Sequence, residues 1–164
     1  MRRRLRRSSA WPHLWNGIGH DHCLPPHGVP VPQGNYVPAR RSGKLIVTAG
    51  MTPRIDGRLV YFGPIRNDAA VEGYREAVVL ACSNALTAAQ NLLQTGEELE
   101  AILAMTVYIA AEPEFTDHSR LANFASAFLL QELGQAGVCT RAAVGVASLP
   151  GGAPVEIQIM AAVR

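Results

Sequence analysis

Apolar residues keep two different rhythms along this chain. Between residues 68 and 96 they recur at Val71, Tyr74, Val78, Ala81, Ala85, Ala88 and Leu92, in steps of three and four that lie on one stripe of a helix. Gly96 is its expected stop. The segment AILAMTVYIA (101–110) alternates instead, with Leu103, Met105, Val107 and Ile109 on one face and Ala104, Thr106 and Tyr108 on the other, which predicts a strand. After Pro113 the helical period returns at Leu121, Phe124, Ala125, Phe128 and Leu129, with Gly134 as its stop. Upstream, KLIVTAGM (44–51) reads as a short strand, and RIDGRLVYFG (54–63) carries an Asp56-Gly57 pair suited to a tight hairpin turn, where positive φ is needed.

The chain closes on TRAAVGVASLPGGAPVEIQIMAAV (140–163), two alternating runs around the turn-rich LPGGAP, expected to pair as a hairpin. Val144 and Val146 share one face of the first run, and Arg141, Ala143, Gly145 and Ala147 share the other. In the second run Val155, Ile157, Ile159 and Val163 oppose Glu156, Gln158 and Met160. If the branched faces meet the helices, Arg141 and Glu156 both emerge on the far face, otherwise paved with small residues and expected to meet another subunit. A hairpin centred on the turn would pair Arg141 near residue 161, leaving Glu156 roughly 17 Å away at ~3.3 Å per residue. The elements predict an α+β domain with two helices on one face of a sheet.

Composition sharpens this picture in a few places. At 164 residues and 48% apolar content, one domain with a packed core is expected. Residues 1–34 lack a sustained period and are expected to be a disordered basic tail, the domain proper spanning 35–164. Five arginines (Arg2, Arg3, Arg4, Arg6, Arg7) lie in the first seven residues, and without them the formal charge of +2 becomes −3. A mildly acidic domain has no footprint for a phosphate backbone, which disfavours nucleic acid as its main partner. There is no membrane-length apolar run and no secretory h-region after the basic start, so the default compartment is the cytoplasm. Cys23, Cys82 and Cys139 are odd in number and far apart, which suggests neither disulfides nor a paired zinc site. The tail cluster His20, His22, Cys23 and His27 matches no zinc spacing, and no metal site is assigned to it. His118 reads as a surface or capping residue.

Arg141 and Glu156 are then the chemistry-bearing pair. A planar guanidinium grips a carboxylate through two parallel hydrogen bonds, and a partly desolvated glutamate can hold or deprotonate water. An ordinary ion pair between subunits competes evenly with that reading on spacing alone. Arg141, Val144, Ala147, Leu149 and the run Val155-Glu156-Ile157 resemble the C-terminal signature of the RidA/YjgF family of imine deaminases, also called endoribonuclease L-PSP-like. GNYVPARRSGKLIVTAGMTP (34–53) is similar to the family's opening strand, and HSRLANFASAFL (118–129) to its second helix.

The resemblance implies a chorismate-mutase-like fold and a homotrimer around an inner barrel, with three clefts between subunits. It implies that Arg141 holds a substrate carboxylate, that Glu156 handles catalytic water, and that Tyr36, Gly50 and Asn123 line the cleft. It also implies hydrolysis of 2-imino acids to 2-oxo acids and ammonia without metal or organic cofactor. Ala49 and Ala143 stand where such deaminases commonly carry serine and cysteine, which points to a divergent branch. Three function classes follow: an imine deaminase, a non-catalytic module binding small carboxylates, and a ribonuclease, the last disfavoured by charge.

Overall fold

The computed structural model describes residues 30–164; the basic run and the His20, His22, Cys23, His27 cluster lie outside them. A hairpin of β1 (Ala39–Ser42) and β2 (Leu45–Thr48) starts the domain, followed by a smaller hairpin, β3 (Arg54–Ile55) and β4 (Arg58–Leu59). Asp56 (φ 49°) and Gly57 (φ 76°) form the turn of that second hairpin, both in the left-handed region as the Asp-Gly pair predicts. Then come α1 (Arg75–Gln90), β5 (Leu99–Ala110), α2 (His118–Leu133), β6 (Thr140–Val146) and β7 (Val155–Val163). The main sheet has the order β1-β2-β7-β5-β6, and both helices pack on one of its faces.

The core is the layer between sheet and helices. Ile46, Met105, Val107, Ile109, Ile157 and Ile159 are sealed from solvent under Val78, Ala85, Leu121 and Leu129. Each large side chain buried this way contributes roughly 1.5–3 kcal/mol. Polar groups in the layer are paired: the Thr48 hydroxyl accepts the Ile159 N–H (3.0 Å), and the Asn84 amide donates to the carbonyls of Thr52 (3.1 Å) and Arg54 (2.9 Å). Asn84 thereby ties the small hairpin to α1.

Four sequence expectations are corrected. The last two strands are not hairpin partners: β5 lies between them, parallel to β6 and antiparallel to β7. The cause is the helical connection, because α2 is long enough to return the chain to the same end of the sheet, which is what parallel pairing requires. The link through Pro150–Gly152 then steps over β5.

The facing of β6 is also reversed. Arg141, Ala143 and Gly145 register with Met105, Val107 and Ile109 and so face the helices, while Val144 registers with Tyr108 on the far side and is 40% exposed. Small residues at 143 and 145 let α2 come close to this edge strand; a Cβ on Gly145 would stand 2.6 Å from His118 Nε2. Leu103 is exposed because an irregularity between Ile102 and Ala104 shifts the register and buries Ile102 instead. Finally, α1 ends at Gln90, and Gly96 (φ 91°) serves the turn into β5. The stop at Gly134 (φ 60°), by contrast, falls directly after α2.

Candidate functional site

Arg141 and Glu156 occupy opposite faces of the sheet. Arg141 stands on edge strand β6 beneath α2, and one helical stripe receives it. Its Nη1 donates to Asn123 Oδ1 (3.0 Å) and Ser126 Oγ (2.8 Å), and its Nη2 to the Ser119 hydroxyl (3.1 Å) and carbonyl (3.2 Å). All these acceptors are neutral. Among the described residues the guanidinium has no ion pair, so its position is fixed while its charge stays uncompensated.

Glu156 lies on the far face, registered with Tyr108 and half-buried. Burial raises its carboxyl above the usual carboxylate range, and among the described residues it has neither a hydrogen bond nor an ion pair. Its carboxyl lies over Gly50, where any Cβ would overlap it. Gly50 is thus required for a close approach of side chain to backbone. The neighbouring surface is a broad depression of ≈ 640 Å³ lined by Tyr36, Val37, Arg40, Val47 and Ala49. Tyr36 is 49% exposed there, its hydroxyl oxygen accepting the Gln33 N–H (3.2 Å).

The five sequence-assigned residues therefore fall into two groups. Arg141 and Asn123 are in direct contact on the helix side of β6, whereas Gly50 and Glu156 meet on the far face, with Tyr36 nearby on the depression beside Ala49. The two groups are not brought together within one chain. Sequence reasoning missed Ser119 and Ser126. Their signal was available, since Ser119, Asn123 and Ser126 are polar positions in steps of four and three on one helical stripe.

It also underrated His118. This residue is half-buried, edge-to-face with Phe115 (centroids 5.0 Å apart, 73° between planes), and its imidazole rests against Gly145. It lines a cleft of ≈ 430 Å³ with Ile109, Ala111, Glu112, Pro113 and Gly145. Among the described residues there is no cluster of three or more metal-ligating side chains, and no helix is long and apolar enough to cross a membrane.

Comparison with known proteins agrees with the architecture. The family model described as endoribonuclease L-PSP matches residues 28–163. Protein TCP17 of Trypanosoma cruzi is 32% identical over 132 residues, 79% of this chain and 81% of that protein. Among solved structures, the protein Atu1372 of Agrobacterium tumefaciens, of unknown function, is 32% identical with a TM-score of 0.71, over 79% of this chain and 82% of that one. TdcF of E. coli, crystallised with bound serine, is 26% identical with a TM-score of 0.58, over 82% of this chain and 92% of that one. By this match, which spans most of its length, the chain belongs to the endoribonuclease L-PSP family, also called RidA/YjgF.

Proposed function

We propose that this protein hydrolyses small 2-imino acids to 2-oxo acids and ammonia, at clefts built between copies of the chain in a homotrimer. The observation that carries this reading is the separation of Arg141 and Glu156. Each is an unpaired charge-bearing group among the described residues, and they lie on opposite faces of one sheet. A neighbouring copy is what could bring a guanidinium from one chain to a carboxyl from another.

In such a cleft Arg141 binds the substrate carboxylate, held in aim by Asn123, Ser119 and Ser126. The imine carbon is already electrophilic, so orientation and one activated water supply most of what the reaction needs. Water adds to the C=N carbon with Glu156 taking its proton. The same carboxyl returns that proton to nitrogen, then relays the hydroxyl proton of the adduct to nitrogen as the C–N bond breaks, and ammonia leaves a 2-oxo acid: R–C(=NH)–COO⁻ + H₂O gives R–CO–COO⁻ + NH₃. A carboxyl raised by burial suits both transfers. Tyr36 and the Gly50 backbone line the water side of the cleft. The serine bound to TdcF, a relative with the same fold, shares the carboxylate and the three-carbon size of the proposed ligand.

A second reading, carboxylate binding without turnover, draws on the same site: Ala49 and Ala143 bring no polar group, and both terminal nitrogens of Arg141 are engaged by α2. Freshly generated 2-iminopropanoate separates the two. The deaminase reading expects accelerated release of the 2-oxo acid, reduced about a hundredfold or more by Arg141→Ala. Binding of 2-oxo acids with no acceleration would favour the non-catalytic module.

A further inference from the structure

We propose that Arg40 determines the specificity of the Glu156 side of the cleft by gripping a second carboxylate on the ligand, so that the favoured substrates are 2-imino dicarboxylic acids. This rests on the proposed deaminase site, in which Arg141 of another copy holds the first carboxylate. Arg40 pairs with Val47 on β2, and Val47 pairs with Met160 on β7. Met160 and Glu156 share one face of β7, so Arg40 stands on the face of the sheet that carries Glu156. It lines the depression of ≈ 640 Å³ together with Tyr36 and Ala49. Ala49 is joined to Gly50, over which the Glu156 carboxyl lies.

The depression has one sign of charge. Arg40 is the charged side chain of its lining, which includes no acid, and among the described residues the Arg40 guanidinium has neither an ion pair nor a hydrogen bond. Its neighbour Arg41, turned to the other face, is closed on Glu97 by a 2.7 Å bond from Nη2. The Asn35 amide borders the same space, as does the Tyr36 hydroxyl, whose oxygen accepts the Gln33 N–H and whose proton is left to donate. An entering anion therefore meets a cation and neutral donors with no opposing carboxylate. The guanidinium holds a carboxylate through two parallel hydrogen bonds, which an alkyl end cannot accept.

The spacing fits a short diacid. One strand spacing of about 4.8 Å and two residues at ~3.3 Å each put the Arg40 and Ala49 backbones roughly 8 Å apart. Between the Val47–Met160 and Met51–Ile157 pairs, residues 48–50 oppose only residues 158–159, an irregularity that lets Ala49 and Gly50 both border this face. The long Arg40 side chain covers much of the gap from its end, and Ala49 puts only a methyl group in the path. A substrate whose imine carbon lies beside Glu156 thus reaches Arg40 with a side chain of a few carbons, as the acid derived from glutamate has. An aliphatic side chain of the same length finds no partner there.

The test compares the 2-imino acids of glutamate and norleucine, generated in place by amino-acid oxidases. The full-length protein, Arg40→Met and Arg40→Lys are assayed for 2-oxo acid release, and binding of the two corresponding 2-oxo acids is titrated calorimetrically. Wild type is expected to prefer the glutamate-derived compound by about tenfold or more in both measurements. The preference should disappear in Arg40→Met, which keeps much of the side-chain length without the charge, and survive in part in Arg40→Lys. In wild type it should also shrink as salt is raised, a readout that needs no variant. A preference that is absent from wild type, insensitive to salt, or unchanged in Arg40→Met overturns the proposal, as does an equal loss on both acids. Turnover without discrimination refutes this role of Arg40 and leaves the deaminase standing. Discrimination in binding without turnover does the reverse, and absence of both turnover and binding overturns both.

Discussion

Arg141 carries a charge that no acid of its own chain cancels among the described residues. The neutral oxygens of Ser119, Asn123 and Ser126 fix the guanidinium without quenching it, the arrangement a cation needs if an incoming anion is to find it. Asn123→Asp would preserve an acceptor 3.0 Å from Nη1 while adding the missing negative charge. The expected outcome is a loss of 2-oxo acid affinity of about tenfold or more by calorimetry, with the thermal midpoint kept or raised. Gly50 has the opposite sensitivity. Gly50→Ala forces its methyl into the Glu156 carboxyl and should cost about 1–3 kcal/mol in denaturant unfolding. Shortening the offender, as in Gly50→Ala with Glu156→Ala, should recover most of that loss.

Glu156 also leaves a pH signature. Burial holds its pKa above the ordinary value, so the folded chain binds this proton more tightly than the unfolded one. The penalty of ionising it is absent below the ordinary carboxylate range, sets in as pH rises through that range, and is complete above the raised value. Glu156→Gln should therefore be more stable than wild type at neutral pH, and the difference should vanish in acid. Parallel unfolding curves at several pH values check this.

At the scale of elements, the two sheet edges are secured differently. The β1 edge is tied down by Arg41, which reaches Glu97 beyond α1 with a 2.7 Å bond from Nη2 and also donates to the Leu92 carbonyl (3.3 Å). The Arg41 guanidinium lowers the Glu97 pKa to about 2. Stability from a depressed carboxyl is present above its ordinary pKa and lost as pH falls towards the depressed one. Arg41→Ala should accordingly lower the denaturation midpoint at neutral pH and make progressively less difference below about pH 4. The β6 edge is held from one side only, by β5 and by the cover of α2.

That difference explains what could be read from the pattern of residues. The stripe through Leu121, Ala125 and Leu129 identifies α2 because a helix records its buried face every three or four positions, and Asp56-Gly57 identifies its turn because the backbone there needs positive φ. Leu103 misleads because a local slip in strand pairing reverses the parity that alternation depends on. Val144 misleads for another reason: on an edge strand the branched side chain faces out, and the helix side is reserved for a long arginine and two small residues. Adjacency of strands is a long-range property, so nothing within residues 140–163 announced that β5 would come between β6 and β7. Arg141 and Glu156 were legible as rare charges in apolar strands, but their separation across the sheet was not.

For the whole molecule, the far face of the sheet sets the expectation of assembly. Leu45 (44% exposed), Val144 (40%) and Met160 (38%) open there beside Val47 and Ala104, an apolar surface suited to burial against another copy. The family match begins at residue 28, and removal of residues 1–27 is expected to leave both the thermal midpoint and the number of chains per oligomer unchanged, as read by calorimetry and light scattering. A site shared between copies has a consequence that no single-chain site shares. Arg141→Ala and Glu156→Gln should each be inactive alone, yet each retains the residue the other lacks.

Co-expressing these two variants and assaying the mixed oligomers on 2-iminopropanoate is the most direct measurement. If Arg141 of one copy works with Glu156 of the next, random assembly restores about a quarter of the clefts and a corresponding share of wild-type activity. Activity in the mixture no higher than in either parent would contradict a cleft built from two chains.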